Sequence, residues 1–260
     1  MKIFFSEGKP HYPSYTFNYG IYCLKELQEE LPRIYEQGFL PYSANTQIRG
    51  ELFYLARSLR VDIDRFQDTS ENRRVQRKIA ELDITVSCHP KVQFLETHKT
   101  FESFCLAYAN ERIGDHLSVQ RFQYICNLET GTHVFNFQSQ TLGDVGFVLA
   151  AIEGKMLHYW FSFFNVELMR SHSLGKWMMW YVINWAKEQD LEKVYLGTCY
   201  GSKSLYKVRD HKGLAFFDGT SWNTDVKLLK IWCKADEERR DDDRLKQASD
   251  PNILLKKLKA

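Results

Sequence analysis

The sequence predicts an α+β fold in which helices flank a mixed, mainly antiparallel sheet. Two apolar runs, 145–152 and 156–163, are joined by a glycine-containing turn at 153–155, a pattern typical of a β-hairpin. From 173 to 189, apolar residues at helical spacing cover more than one side of a predicted helix. A short strand is predicted at 193–196, directly after this helix.

Weaker patterns predict the elements of the N-terminal part. Residues 10–23 are rich in proline, tyrosine and glycine, which favours a compact irregular segment. Apolar residues at helical spacing predict a short helix over 26–37, and alternation predicts strand structure over 51–64. Residues 70–80 are predicted to form a basic helix with Ser70 as its N-cap.

The remaining elements are predicted from similar patterns. Aromatic and apolar residues share one face of a predicted helix over 100–110. This helix should end at 113–115. A short helix is expected at 202–208 and a strand at 214–217. Residues 234–247 are almost purely charged, which predicts a solvated helix or linker.

Length and composition allow one large domain or two small ones. The chain has 260 residues, of which 44% are hydrophobic and 26% charged, so it can build a full core. The net charge of +2 demands no nucleic-acid partner, so any such contact must use a local basic patch. The six cysteines form no CxxC pair, which favours reduced thiols of a cytosolic protein over a metal site. Neither a signal peptide nor a membrane-spanning run of ~20 apolar residues is expected.

The order of elements in 164–222 is similar to the way acetyltransferase-type (GNAT) folds build an acyl-donor cleft: a strand, a turn, a helix and another strand. Acetyl-CoA enzymes of this fold hold the pyrophosphate on backbone N–H groups of a glycine-rich loop at the helix N-terminus. The equivalent loop here is 170–175, and Ser173 stands where the first glycine is required. Because its side chain would crowd a pyrophosphate, the loop argues against acetyl-CoA.

Three further stretches resemble the arginyl-tRNA–protein transferase family. Residues 30–39 are similar to its segment of tyrosine, spacer and Gly-Trp/Phe, and 59–75 to its Arg-hydrophobic, Phe and Ser-x-x-Arg-Arg element. The third is a helix in which aromatic residues precede an Arg-His-x-x-Gly step, here with Phe104, Tyr108, Arg112 and Gly114. The motifs Ser-Leu-Gly at 173–175, Tyr-Leu-Gly at 195–197 and Tyr-Lys at 206–207 follow. Over 30–222 these stretches occur in the same order as in the family. The resemblance implies a GNAT-like fold and peptide-bond formation from an aminoacyl-tRNA.

One feature of the family is missing. Its members usually carry an N-terminal cysteine cluster linked to an iron–sulfur centre, whereas here Cys23 stands alone and 53–58 has no cysteine. Four thiolates cannot be assembled locally, so an iron–sulfur cluster is not expected. We therefore expect no cofactor and no metal, with aminoacyl-tRNA as co-substrate.

The resemblance implies a division of labour along the chain. Residues 1–90 would form a smaller N-terminal domain that contacts tRNA and acceptor, and 91–232 a GNAT-like catalytic domain. Residues 233–260 would form a charged C-terminal tail. The implied partners are an aminoacyl-tRNA and the N-terminus of an acceptor protein or peptide, with no membrane, and the implied location is the cytoplasm.

The candidate site residues fall into three groups. For catalysis we expect Tyr206, Lys207, His172 and Thr198. For substrate binding we expect Ser173, Gly175, Leu196, Gly197, Asp218 and Trp222. For tRNA phosphates we expect one edge of the basic helix, with Arg73, Arg74, Arg77 and Lys78. In this scheme Lys207 holds terminal phosphates from the cleft rim, and Tyr206 donates to the leaving ribose oxygen.

Ordinary structural roles stay open for these residues. A buried tyrosine, a solvated lysine, a surface histidine, an Asp-Gly turn at 218–219 and a solvated basic helix face would each explain the pattern. Two other functions also stay open: a CoA-dependent N-acetyltransferase, and a non-catalytic tRNA- or peptide-binding module of the same fold. A FemX-like transferase, which adds amino acids to a peptidoglycan precursor from tRNA, usually needs two such folds and is disfavoured by the length.

Overall fold

The computed structural model describes residues 1–7, 12, 19–44, 46, 50–112, 117–209 and 211–238. The strands are β1 (Lys2–Glu7), β2 (Tyr19–Lys25), β3 (Phe39–Pro41), β4 (Glu51–Leu55), β5 (Ser58–Asp62), β6 (Ile84–Pro90), β7 (His133–Ser139), β8 (Gly143–Glu153), β9 (Met156–Phe164), β10 (Lys193–Thr198), β11 (Leu214–Phe217) and β12 (Trp222–Asn223). The helices are α1 (Leu31–Glu36), α2 (Ser70–Ile79), α3 (Lys91–Thr97), α4 (Phe101–Arg112), α5 (Val119–Asn127), α6 (Val166–His172), α7 (Leu174–Glu188), α8 (Tyr206–Arg209) and α9 (Val226–Glu238).

The main sheet has eight strands in the order β12-β11-β5-β10-β9-β8-β7-β6. β9 and β10 run parallel, whereas the other neighbouring pairs of this sheet are antiparallel. This confirms the mixed, mainly antiparallel sheet flanked by helices that the sequence predicts. A smaller antiparallel sheet has the order β1-β2-β4-β3, and its buried side chains pack together with those of α1.

The N-terminal part of the chain completes the main sheet. β5 lies between β10 and β11, so that Arg60 is opposite Tyr195 on one side and Ala215 on the other. β6 pairs with β7 at the far end of the strand order. Strands from the first 90 residues therefore share one sheet with strands that follow. The boundaries at 90 and 232 stay a prediction about which segments contact tRNA and acceptor.

Side chains of β8 show how the two faces of the main sheet are covered. Val148 and Ala150 belong to the core cluster that contains the apolar side of α7. Phe147 and Leu149 belong to the cluster formed with α4 and α5. Because successive strand residues point to opposite faces, α7 covers one face and α4 with α5 covers the other. α2 packs against α6 and α7 on the first face.

Most predicted elements are confirmed, and the differences are local. The hairpin β8–β9, α1, α2, α4, α7, β4–β5, β10 and β11 lie where the sequence predicts them. The segment predicted as irregular over 10–23 contains the start of β2, which pairs with β1 and β4 and buries Cys23 in the cluster that includes α1. The helix predicted at 202–208 is a 3₁₀ turn at Ser202–Ser204 followed by α8.

Four helices of the described chain were not expected: α3, α5, α6 and α9. α6 separates β9 from α7, and α9 begins well before the charged run because its inner side buries Leu229 and Cys233. The predicted helix end at 113–115, the positions 10, 11 and 13–18, and the charged run beyond 238 lie outside the described residues. Across the described ranges, no helix combines the length and apolarity needed to cross a membrane.

The N-cap of α2 differs from the sequence prediction by one residue. Thr69 has an extended backbone, and its Oγ1 accepts a hydrogen bond from the Asn72 backbone N–H at 3.2 Å. Ser70 is already the first helical residue and is exposed. The cap is therefore Thr69, because only the residue before the first turn can turn its hydroxyl back to the free N–H groups.

This assignment predicts different effects for two neighbouring substitutions. Thr69→Ala should lower the free energy of unfolding by about 1 kcal/mol, because it removes the cap of a helix that packs on α7. Ser70→Ala, the matched control, should change it by less than about 0.5 kcal/mol. Urea unfolding of both variants measures the difference. A larger loss with Ser70→Ala would show that the cap is Ser70 after all.

Candidate functional site

The parallel strands β9 and β10 separate in the middle of the sheet. Their pairing covers Lys193 to Tyr195 and ends where Tyr195 lies opposite His158. Beyond this point β9 continues to Phe164, while β10 shifts register against β5 and passes through Gly197 at φ +77°. We call the gap between residues 159–164 of β9 and 196–198 of β10 the cleft. It is bounded on the β10 side by main-chain groups that β9 no longer pairs.

Lys207 of α8 fills the hydrogen-bonding positions on the β10 side of the cleft. Its ammonium donates to the carbonyl oxygens of Leu196 at 2.8 Å and Thr198 at 3.1 Å. Burial lowers the pKa of this ammonium to about 8, although the nearby Cys199 thiol acts in the opposite direction. The sequence analysis expected the ammonium at the cleft rim. That expectation is wrong, because the unpaired carbonyls of β10 draw the ammonium inward.

Tyr206 precedes Lys207 and is half-buried. Burial raises the pKa of its phenol to about 12, and the neighbouring Tyr108 and Cys199 add to the shift. The centroid of its ring lies 6.0 Å from the Lys207 Nζ. The structure therefore brings together a protonated phenol and a lysine of lowered pKa, on adjacent residues of one short helix.

Two residues of β9 at the start of the cleft were missed in the sequence analysis. His158 is 2% exposed, and its Nδ1 lies 2.8 Å from the Tyr35 hydroxyl, while its Nε2 has no partner in the described chain. Burial, assisted by the Lys207 charge, lowers the pKa of His158 to about 3, so the imidazole is neutral. Tyr159 is also buried, at 4% exposed. The available signal was the three polar residues His158, Tyr159 and Ser162 inside the otherwise apolar run 156–163.

The loop between α6 and α7 has a conformation that usually belongs to glycine. Ser173 adopts φ +60° and ψ +38°, in the left-handed region, and its carbonyl accepts from the backbone N–H groups of Lys176 and Trp177. His172 lies on the last turn of α6, where its Nδ1 is 2.7 Å from the Ser171 Oγ. The predicted roles of Ser173 and His172 in substrate binding and catalysis stay predictions.

Gly175 has a packing function that the sequence did not reveal. A Cβ at this position would lie 2.6 Å from the ring of Phe164, the last residue of β9. The glycine therefore allows the first turn of α7 to approach the end of β9. Because this contact alone explains a glycine at 175, its predicted contact with substrate stays a prediction.

The basic side of α2 lies next to this loop. Arg73, Arg77 and Lys78 are exposed, and the Lys78 Nζ donates to the Ser171 carbonyl at 3.4 Å. Arg74 is engaged within its own helix, because its guanidinium makes two hydrogen bonds of 2.8 Å to Glu71. The contact of Lys78 with Ser171 therefore brings the exposed cations of α2 next to the end of α6 that precedes α7.

Asp218 and Trp222 have structural contacts in the hairpin β11–β12. The Asp218 Oδ1 accepts from the backbone N–H groups of Thr220 and Ser221, which is the Asp-Gly turn that the sequence analysis left open. The Trp222 indole N–H donates to the Glu36 carbonyl at 2.7 Å. The Trp222 ring nevertheless reaches β10, where its centroid lies 5.7 Å from that of Tyr195, at the end of β10 that is paired with β9. Their predicted contact with the acceptor amine stays a prediction.

A groove of about 400 Å³ lies at the opposite end of the β9–β10 pair. Its walls include the Glu36 carboxylate, which accepts from Arg60 at 2.8 Å and Lys193 at 2.7 Å. Among the residues that the structure describes, no three His, Cys, Asp or Glu side chains gather as metal ligands. Cys199 and Cys233 are buried with their sulfur atoms 3.6 Å apart.

Similarity to known proteins concerns the same segment of the chain. A family model described as an acetyltransferase (GNAT) domain matches residues 143–208, which run from β8 to α8 and contain the cleft. Together with the observed sheet and its helices, this match shows a GNAT-like acyltransferase fold. No curated protein sequence matches the chain.

Several solved structures show distant likenesses. L-PGS from Bacillus licheniformis is 12% identical with a TM-score of 0.42, over 68% of this chain and 51% of that one. The C-terminal domain of a protein assigned as a lysylphosphatidylglycerol synthetase from Agrobacterium fabrum is 12% identical with a TM-score of 0.45, over 78% and 68%. FemX is 10% identical with a TM-score of 0.43, over 65% and 59%. The chain thus spans about half the length of L-PGS, and these likenesses carry no argument about the reaction.

The packing of Gly175 predicts a coupled pair of substitutions. Gly175→Ala should lower the free energy of unfolding by about 1–3 kcal/mol through the clash with Phe164, although alanine favours helices. In a Phe164→Leu background the same change should cost much less, because the ring that the methyl meets is gone. Denaturant unfolding of the four proteins gives the coupling energy. Equal costs in both backgrounds would show that the glycine serves something other than this contact.

Proposed function

We propose that this protein is an acyltransferase that moves an aminoacyl group from an aminoacyl-tRNA to an amine, with the N-terminus of a protein or peptide as acceptor. One observation carries the proposal. The Lys207 ammonium of lowered pKa sits in a cleft between separated parallel strands, beside the protonated Tyr206. Aminolysis of an ester requires a base and an acid in this arrangement, and little covalent catalysis.

The loop before α7 favours tRNA over CoA as the carrier. Ser173 stands where the CoA-dependent enzymes of this fold need a glycine against the pyrophosphate, and Gly175 packs on Phe164, which supports a carrier other than CoA. The exposed cations of α2 adjoin this loop through the contact of Lys78 with Ser171. A nucleic-acid backbone needs such distributed phosphate contacts and no glycine cradle.

The proposed reaction uses these groups in turn. The acceptor amine attacks the ester carbonyl, and a C–N bond forms. Uncharged Lys207 takes the proton that the amine loses, and the Tyr206 hydroxyl protonates the ribose oxygen as the C–O bond breaks. The proton then returns from Lys207 to Tyr206 through the cleft or solvent. The products are an amide and the free ribose hydroxyl, so atoms and charge balance.

A CoA-dependent N-acetyltransferase is the second candidate function. It is supported by the acetyltransferase (GNAT) domain model, which matches the cleft segment 143–208. The two candidates share the fold and the acid–base pair and differ in the donor. A donor experiment therefore separates them.

The first functional prediction concerns the donor. The protein should transfer labelled amino acid from charged tRNA to a peptide with a free N-terminus, detected as a mass gain. Acetyl-CoA should leave the melting temperature unchanged, whereas a ligand at a hundredfold excess over its Kd would stabilise the fold by about 2.7 kcal/mol. If the peptide becomes acetylated from acetyl-CoA and gains no amino acid from charged tRNA, the CoA-dependent N-acetyltransferase becomes the better explanation.

A second experiment tests whether α2 binds the tRNA, with reversal of two other surface charges as its control. Arg73→Glu with Arg77→Glu should weaken tRNA binding and reduce the salt slope of log K by about one unit for each lost phosphate contact. The matched control is Lys227→Glu with Lys230→Glu, which reverses two exposed cations of α9. Equal losses in both double variants would place the tRNA elsewhere.

A second functional prediction concerns pH. If Lys207 is the base, the rate of transfer should rise with pH, reach half of its maximum near about pH 8 and level off about one pH unit higher, because only about a tenth of this group is uncharged at pH 7. Lys207→Met should lose the rise together with most of the rate. Lys203→Ala, the control at an exposed lysine of the same segment, should keep both.

The same pKa predicts how stability varies with pH. The pKa of Lys207 is lower in the folded protein than in the unfolded chain, so the unfolded chain binds more protons between about pH 8 and 10.5. The contribution of Lys207 to the free energy of unfolding should therefore rise through this window and be absent from Lys207→Met.

The two measurements are independent. A rate of transfer that is flat from about pH 6 to 9 would remove Lys207 as the base.

A further inference from the structure

Two buried cysteine side chains from distant segments of the chain meet beside the end of β10. Cys199 directly follows β10, and Cys233 lies on α9. Both residues are 0% exposed, and their sulfur atoms are 3.6 Å apart. Because a disulfide bond joins sulfur atoms at about 2.0 Å, the two thiols need to approach by only roughly 1.5 Å to form one. A small movement of α9 is enough to close this distance.

The surroundings of this pair make Cys233 the more reactive thiol. The hydrogen bond donated by the Cys199 thiol lowers the pKa of Cys233 and raises that of Cys199 itself. The Arg57 guanidinium also lowers the pKa of Cys233, whereas burial and the Asp236 carboxylate act in the opposite direction. Burial raises the pKa of the four other thiols, which are Cys23, Cys88, Cys105 and Cys126. Since oxidants react with the thiolate, Cys233 is the cysteine of this chain best prepared for oxidation.

The attachment of α9 to the main sheet permits local opening. Among the described residues of this helix, only Leu229 and Cys233 are fully buried. Near its end, the Asp236 carboxylate accepts from the Arg57 guanidinium at 2.8 and 3.2 Å and from the Gly201 backbone N–H at 2.9 Å. Segments held by few buried apolar side chains and by polar contacts open without unfolding of the whole protein. Such opening admits a small oxidant to a thiol that is otherwise covered.

We propose that Cys199 and Cys233 form a reversible disulfide bond when the protein meets hydrogen peroxide, and that this bond fastens α9 to the end of β10. The Cys233 thiolate attacks one peroxide oxygen, so that an S–O bond forms and the O–O bond breaks. The departing hydroxide takes up a proton and becomes water. The Cys199 sulfur then attacks the sulfenic sulfur, an S–S bond forms, and a second water leaves. Two thiols and one peroxide thus give one disulfide and two water molecules, and a dithiol reductant returns the two electrons by exchange.

The position of the pair connects its redox state with the cleft. The Cys199 thiol is close enough to act on the pKa of Lys207 and of Tyr206. A bond between 199 and 233 closes a loop of the chain that contains α8, where both of these residues lie. Oxidation therefore restrains α8 and α9 together. Formation of the disulfide does not depend on the proposed transfer reaction, because it uses neither tRNA nor acceptor.

Peptide mapping of the unaltered protein tests the bond without any variant. The reduced full chain is treated with an equimolar amount of hydrogen peroxide, and the remaining thiols are alkylated after denaturation. We expect a linked peptide pair that contains Cys199 and Cys233, while the other four cysteines stay alkylated. Cys88 and Cys126 are less buried than this pair, so simple exposure predicts that they react first. Their oxidation while the pair stays reduced would overturn the proposal, and so would six free thiols after a large excess of peroxide.

Thermal unfolding tests whether the bond fastens α9. Oxidation should raise the melting temperature by about 5 °C or more, because the cross-link restricts the unfolded chain, and a dithiol reductant should reverse the shift. Cys199→Ala with Cys233→Ala should abolish the shift. The matched control, Cys88→Ala with Cys126→Ala, should keep it.

Two results would contradict this part of the proposal. A shift of equal size in the Cys199→Ala, Cys233→Ala protein would show that oxidation acts elsewhere. If the mapped disulfide forms and the melting temperature stays unchanged, the bond does not fasten α9. Should the double variant fail to fold, hydrogen exchange of the unaltered protein decides, since the amides of α9 should exchange more slowly after oxidation. Equal exchange in both redox states would then contradict the proposal.

Discussion

The separation of two parallel strands is the constraint on which the site depends. β9 and β10 pair through only three residues each, and the main chain of β10 then turns away at Gly197. Buried carbonyl groups that lose their strand partner must find another donor. Lys207 supplies it for Leu196 and Thr198, so a side chain takes over what a strand would otherwise do. The cleft exists because Lys207 takes the place of a strand partner on the β10 side only.

The position of Lys207 links architecture to chemistry. An ammonium held by neutral carbonyls keeps its hydrogen bonds but loses water, and no carboxylate among the described residues compensates for this loss, so its pKa falls. The same contacts that complete the main chain of β10 therefore hold an ammonium that loses its proton closer to neutral pH than a lysine in water. The neutral His158 and the Tyr206 phenol near it add hydrogen-bonding capacity without adding negative charge. These properties fit the proposed attack of an uncharged amine on an uncharged ester.

Local patterns were sufficient to predict much of the fold. The glycine turn at 153–155, the period of α7 and the strand at β10 follow from residue spacing, whereas the Tyr-Lys pair at 206–207 was singled out by its resemblance to the transferase family. The insertion of β5 between β10 and β11 could not be predicted, because pairing between distant segments leaves no periodic signal in either. His158 and Tyr159 resemble core residues inside an apolar strand. The direction of Lys207 depends on the bend of a neighbouring strand, which no spacing reveals.

The place of β5 also has a consequence for how the chain folds. Residues 58–62 pair with 193–198 and 214–217, and these contacts join segments far apart in the chain. Long-range pairings of this kind close large loops and slow folding, and until they form, β10 and β11 each present an open edge. β10 therefore acquires its second neighbour only when it pairs with β5. Because β5 is synthesised first, it stays without these partners until β10 and β11 have left the ribosome. The cleft is thus among the last regions that the nascent chain can complete.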